Sequence, residues 1–153
     1  MQKVLVVYAS RLGATGEIAR EVMERLTRRG LEVDLRPTTE APDVRSYDAV
    51  VLGGAIHLRH WDKEAMHFLS RHSTALTGRP LWVFQSGPYG IDPHGRHGQT
   101  PQPVTDLCDQ IGAEPPKVFA GNLLGKVNNC DEVRSWADQV ADQLLSDSVA
   151  STV

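Results

Sequence analysis

Short apolar, β-branched runs alternate with stretches of helical spacing from one end of this chain to the other. Residues 3–8 are such a run, and 14–29 carry Ile18, Val22 and Leu26 on one helical stripe, stopped at Gly30. Residues 31–36 alternate like a strand exposed on one side, and Pro37 and Pro42 bracket the loop that follows. Residues 47–52 are continuously apolar and close at Gly53-Gly54; 62–72 read as a helix and 80–85 as a buried strand. After a loop over 87–100, Thr100-Pro101 predicts an N-cap with proline at N1 for a helix carrying Val104, Leu107 and Ile111, ended by Gly112. Residues 117–120 form the fifth strand. Asn129 and Glu132 have capping-box spacing ahead of a last helix with Val133, Trp136, Val140 and Leu144 inside. Glu21/Arg25 and Glu24/Arg28 are expected to pair along the first helix.

Strands buried on both faces and joined through helices imply a parallel sheet covered on each side. The fold class expected is α/β, with one domain over residues 1–146 and a polar, frayed tail over 147–153. At 153 residues the chain is long enough for one core without cross-links. A net charge of −3 argues against non-specific nucleic-acid binding. No run reaches the roughly 18–20 apolar residues of a membrane span, and the N-terminal residues enter a strand with no signal-peptide pattern. A cytoplasmic protein is therefore expected, with Cys108 and Cys130 as free thiols.

In such sheets ligands bind beyond the C-terminal ends of the strands, where segments 9–15, 53–61 and 86–100 gather. The first holds Ser10, Arg11, Leu12, Gly13, Ala14 and Thr15 between strand and helix. It lacks the glycine spacing of a dinucleotide fold and the Gly-Lys-Ser/Thr of a P-loop. A tight turn, with Gly13 available for an unusual backbone angle and hydroxyls beside a helix N-terminus, suits a phosphate monoester. The alternative is that Ser10 and Thr15 only cap the helix.

The second segment puts Ala55, Ile56, His57, Leu58 and Trp61 in a connector, which suits a flat apolar ligand face. Trp61 packing inward at the next helix is the alternative. The third, Ser86, Gly87, Pro88, Tyr89 and Gly90, lets backbone approach a ligand edge, with Tyr89 either stacking or exposed. A planar heterocycle with a polar edge and one phosphate satisfies all three segments, and flavin mononucleotide (FMN) is such a molecule.

These residues resemble the flavodoxin-like family, and within it the branch of menaquinone-dependent protoporphyrinogen dehydrogenase-like flavodoxin-domain proteins. The match lies in Tyr8 to Thr15 with its helix, in Tyr47 to His57 running on to Phe68-Leu69, and in Ser86-Gly87-Pro88. The resemblance implies a three-layer sandwich whose five-stranded parallel sheet has the order 2-1-3-4-5. It also implies that Ser10 to Thr15 hold the FMN phosphate, that Ala55 to Leu58, with Trp61 as a further candidate, line one side of the ring, and that Ser86 to Gly90 line the other. Leu12 stands where flavodoxins usually have a second threonine, and Arg11 either compensates with a charge-assisted bond or points to solvent. Only residues 121–130 join the last strand and helix, where the protoporphyrinogen enzyme carries a long insertion.

The function expected is an FMN-binding oxidoreductase passing electrons between an organic donor and an acceptor such as a quinone. Its partner would be a small-molecule or protein redox partner. The alternatives are a non-enzymatic flavodoxin-type carrier and a flavin-free binding or regulatory module. The pairs His57/His60 and His94/His97 have no acid or cysteine at ligand spacing, so no metal is expected. His57 would either meet the flavin or face solvent. A phospho-receiver reading fails, since Ala9-Ser10 and Gly53 stand where acidic residues are required.

Overall fold

The computed structural model describes residues 2–9, 13–57, 59–89, 99–121 and 130–151. Ser10, Arg11, Leu12, Leu58, Gly90, the stretch with His94 and His97, and the Asn129 cap lie outside the described residues, as do the side chains of Pro88 and Tyr89. The elements are β1 (Lys3–Tyr8), α1 (Ala14–Arg28), β2 (Glu32–Pro37), β3 (Ala49–His57), β4 (His60–Trp61), α2 (Lys63–Arg71), α3 (Ser73–Leu76), β5 (Leu81–Tyr89), α4 (Gln102–Ile111), β6 (Lys117–Gly121) and α5 (Cys130–Ser151). Two short 3₁₀ turns, Thr38–Glu40 and Val44–Ser46, lie between β2 and β3.

The main sheet runs β2-β1-β3-β5-β6, all parallel, with β4 paired antiparallel to β3. Counting only its long strands, this is the 2-1-3-4-5 order that the resemblance implies. The period of two along each strand divides the core into two faces. Leu5, Val7, Val50, Leu52 and Val83 point toward α2 and α4, where Phe68, Leu69, Val104 and Ile111 meet them. Val4, Val6, Val51 and Phe84 point the other way, onto Ile18, Val22 and Leu26 of α1 and Trp136, Val140 and Leu144 of α5. Val4 to Val7 are wholly buried because β1 is flanked by strands on both edges and by helices on both faces.

Several local expectations are corrected. Glu21 and Arg25 turn to α5 instead of to each other: Arg134 pairs with Glu21 at 3.2 Å, and Arg25 forks onto Asp138 at 3.0 Å. Arg29 also reaches Asp138, and ion-pairs with Asp142. The parallel approach of a second helix offers these side chains partners that the sequence along α1 does not reveal. Pro101 is the N-cap residue of α4, and Thr100 does not cap it. The expected 62–72 helix is present as α2, and a short further helix, α3, follows it beyond His72. The last helix continues through Ser151, past the point where the polar tail is expected to begin. Gly13 has an ordinary right-handed backbone, φ −45°. Cys108 is a buried core thiol, pushed up to about 11 by burial, and Cys130 is free and exposed.

Candidate functional site

The C-terminal ends of β1, β3 and β5 converge at one edge of the sheet, because all three strands are parallel and adjacent. Ala9 carries β1 to this end, its N–H donating to the Gly53 carbonyl at 2.9 Å. Helix α1 begins immediately beyond it, with exposed Gly13 as N-cap residue and no side chain among the described residues capping it. Glu17 N–H donates to the Gly13 carbonyl at 3.0 Å, so the helix ladder starts there. The N–H groups ahead of it have no partner within the helix, which gives this end a partial positive charge.

Thr15 does not cap. Its hydroxyl and that of Ser86 form a hydrogen bond of 3.0 Å, and both residues are wholly buried. The first turn of α1 is thereby tied across the sheet to the end of β5. Ser10, the other half of the expected hydroxyl pair, lies outside the described residues.

Strand β3 does not stop at Gly53-Gly54. It continues to His57 and returns as β4, with Ile56 opposite Trp61 and His57 opposite His60. The connector expected to be a loop is a hairpin, with Arg59 at φ 67° in its turn. The two glycines serve packing. A Cβ at Gly53 would stand 2.1 Å from the Phe84 ring, and one at Gly54 would stand 2.9 Å from Ala65 and 3.0 Å from Trp61. Removing side chains from β3 here lets the Phe84 and Trp61 rings pack against its main chain.

Trp61 therefore packs inward, 6% exposed, with Ile56 beside it in the core. Its indole N–H donates to Gln85 Oε1 at 3.2 Å. The Thr100 hydroxyl donates to the same oxygen at 3.0 Å. Gln85 is wholly buried, so one amide joins the hairpin, strand β5 and the segment entering α4. This explains why Thr100 leaves its expected capping role: a buried amide oxygen demands donors more strongly than an exposed helix end does. Beyond Gln85, β5 runs on to Tyr89 through a register shift against β6 between Ser86 and Tyr89. Gly87, at φ 99°, sits in that irregularity, where a side chain would be strained.

Of the expected site residues that are described, all stand at this end of the sheet. Gly13 and His57 are exposed, Ala55 is half-buried, and Ala14, Thr15, Ile56, Trp61, Ser86 and Gly87 are buried. Gln85 and Thr100 border the expected segments, but neither is assigned a role in the site from the sequence. The available signal is that Gln85 is the first polar residue after the apolar Leu81–Phe84 run, in a strand that two neighbours must bury. Among the described residues no group of three histidines, cysteines or acids is placed to hold a metal ion.

The comparisons with known proteins agree with this geometry. Over 100 residues the chain is 29% identical to protoporphyrinogen IX dehydrogenase [quinone] of Escherichia coli strain K12, covering 64% of this chain and 55% of that one. The chain thus spans about half the length of the curated relatives it matches. Its fold superimposes on a short-chain flavodoxin associated with a non-canonical PDU bacterial microcompartment, with TM-score 0.74, 21% identity and coverage of 94% and 99% of the two chains. Oxidised flavodoxin 2 from Bacillus cereus gives TM-score 0.72 at 23% identity, covering 92% and 99%. The flavodoxin domain family matches residues 5–129, running from β1 to the approach of α5 and taking in every segment of the site. The chain belongs to the flavodoxin domain family.

Proposed function

We propose that this chain is an FMN-dependent oxidoreductase that passes electrons between an organic donor and an acceptor such as a quinone. The observation that carries the reading is the convergence of a helix N-terminus that no described side chain caps with the ends of β3 and β5 at one edge of a parallel sheet. That end offers main-chain N–H donors for one phosphate and two facing segments for a planar ring.

Residues 10–15 would hold the phosphate, Ala55 to Leu58 one side of the ring, and Ser86 to Gly90 the other. Thr15 fits a double role: if Ser86 donates the hydrogen bond between them, the Thr15 hydroxyl keeps its own proton for an anion. Trp61 supports the hairpin from behind, so its part is to position Ala55 and His57. FMN, when bound, supplies the reversible uptake of electrons, while the protein orients it and sets its surroundings. The half-length relation to the quinone-named dehydrogenase motivates the choice of acceptor. No helix among the described residues is long and apolar enough to cross a membrane.

The test begins with the protein as purified, which should be yellow and release FMN on denaturation. A colourless protein that gives no signal on FMN titration would sink the proposal. Turnover with a small soluble quinone separates an enzyme from a carrier that only stimulates a coupled reductase. Gly13→Val tests the phosphate placement cleanly, because a Cβ there meets no atom of the described residues within 4 Å and the backbone angle is ordinary. It should weaken FMN binding by about tenfold or more with the fold intact. Unchanged affinity would place the phosphate elsewhere.

A further inference from the structure

A second region of the molecule collects positive charge with little acid to balance it. The segment over 38–46 runs beside α2 and α3, and between them lies a groove of about 770 Å³ lined by Arg45, Arg71, Arg79 and one carboxylate, Asp43. It continues past Thr38, Thr39, Arg71 and His72 into a neighbouring hollow of about 490 Å³. Arg79 lies just ahead of the N-terminal end of β5, at the opposite end of the sheet from the candidate flavin site.

The three guanidiniums are held differently. Arg79 donates to three main-chain carbonyls, those of Tyr47 at 3.2 Å, Ala75 at 2.9 Å and Arg45 at 3.2 Å. These bonds fix its plane without neutralising its charge. Arg71 is exposed and has no carboxylate partner among the described residues. Arg45 forks onto Asp43 with both bonds at 3.1 Å, but the two side chains are 71% and 52% exposed, so solvent screens the pair. Three guanidiniums against one carboxylate leave a local charge of +2 in a chain whose net charge is −3.

The surroundings respond to this excess. His72 packs against Phe68 with ring centroids 4.6 Å apart and the planes tilted by 49°. Burial first, and then the Arg71 charge, hold its pKa below the usual imidazole value, with Asp43 opposing and His67 reinforcing the shift. The hydroxyls of Thr39 and Thr74 line the groove without a hydrogen bond to any described residue. In the adjoining hollow the single acid, Glu64, accepts from the Thr38 hydroxyl at 3.2 Å and has Lys63 beside it.

We propose that this groove is a second ligand site, for a phosphate monoester carried on a small molecule. A dianionic phosphate matches the +2 excess, and a guanidinium fork with free hydroxyls beside it fits its oxygens. The groove lies within the roughly 300–1,000 Å³ range of small-ligand sites. Its residues are separate from those assigned to FMN, so the two assignments stand or fall independently.

The experiment follows the His72 ring resonances by NMR in the 153-residue chain, incubated with FMN and then freed of unbound flavin, itself a phosphate monoester, in a phosphate-free buffer. The probes are inorganic phosphate, AMP and adenosine. Phosphate and AMP should give a saturable shift at His72 and raise its titration midpoint, because a bound anion favours the imidazolium; adenosine should give neither. Arg71→Glu, an exposed change that leaves the Arg79 contacts intact, should weaken AMP binding by about tenfold or more. Shifts copied by chloride at equal ionic strength, or surviving Arg71→Glu, would overturn the site. Phosphate binding without AMP binding would overturn the monoester assignment.

Discussion

The end of the sheet that forms the candidate flavin site and the seam between α1 and α5 are stabilised by opposite means. At the sheet end the polar groups are neutral and buried: Gln85 accepts from Trp61 and Thr100, and Thr15 pairs with Ser86. At the seam they are charged and wet: Arg25, Arg29 and Arg134 reach Asp138, Asp142 and Glu21 at the surface. A buried neutral bond adds little when made but costs much when half of it is removed, since the orphaned partner cannot turn to water. An exposed ion pair can be lost with small consequence because water replaces it. The sheet end is therefore brittle and the seam forgiving, as a precisely positioned site and a solvent-facing flank respectively require.

The largest effect should come from Gly53→Ala. Its Cβ would overlap the wholly buried Phe84 ring, which has no room to retreat between α1 and Trp136. Destabilisation of about 3 kcal/mol is expected from urea unfolding. Phe84→Leu in the same chain should recover part of it, and no recovery would refute the steric cause.

Next in size is Gln85→Leu, which strands the Trp61 indole N–H and the Thr100 hydroxyl. A loss of about 2–3 kcal/mol is expected. Amide exchange should rise first in the hairpin of β3 and β4. Uniform loosening across the sheet would contradict Gln85 as the tie between these segments.

Asp138→Asn should have the smallest effect, a slight fall in the unfolding midpoint that shrinks further as salt is added. The Arg25 and Arg29 guanidiniums hold the Asp138 carboxyl below its ordinary range. A folded pKa below the unfolded one means that its contribution is present above the usual carboxylate pKa, about 4, and lost as pH falls through the lower folded value. Wild type and Asp138→Asn should therefore converge in stability at acid pH. A difference that persists there would show that Asp138 acts through something other than its charge.

These contrasts mark how much was legible in the amino-acid order. Runs such as Val4–Val7 announce strands buried on both faces, and the Ile18, Val22 and Leu26 stripe announces a helix lying on them. Glycine and hydroxyl residues after β1 point in the same way to the candidate site. Trp61, however, read equally well as a ligand face or as core. Only its pairing opposite Ile56 and its bond to Gln85, 24 positions away, decide for core. Glu21 and Arg25 have ideal spacing for each other, yet α5 offers both of them partners more than 100 residues distant.

Order, composition and periodicity along the chain thus determine the layers, the succession of strands and helices, and the end of the sheet at which the candidate site is expected. Each rests on local backbone preference and on which side chains avoid water. The tertiary structure alone decides which glycines make room for rings, that a hairpin borders the site, and which partner each polar group takes. Those outcomes depend on distances between residues far apart in the chain, and a hydrogen bond or a steric overlap is settled within a few tenths of an ångström.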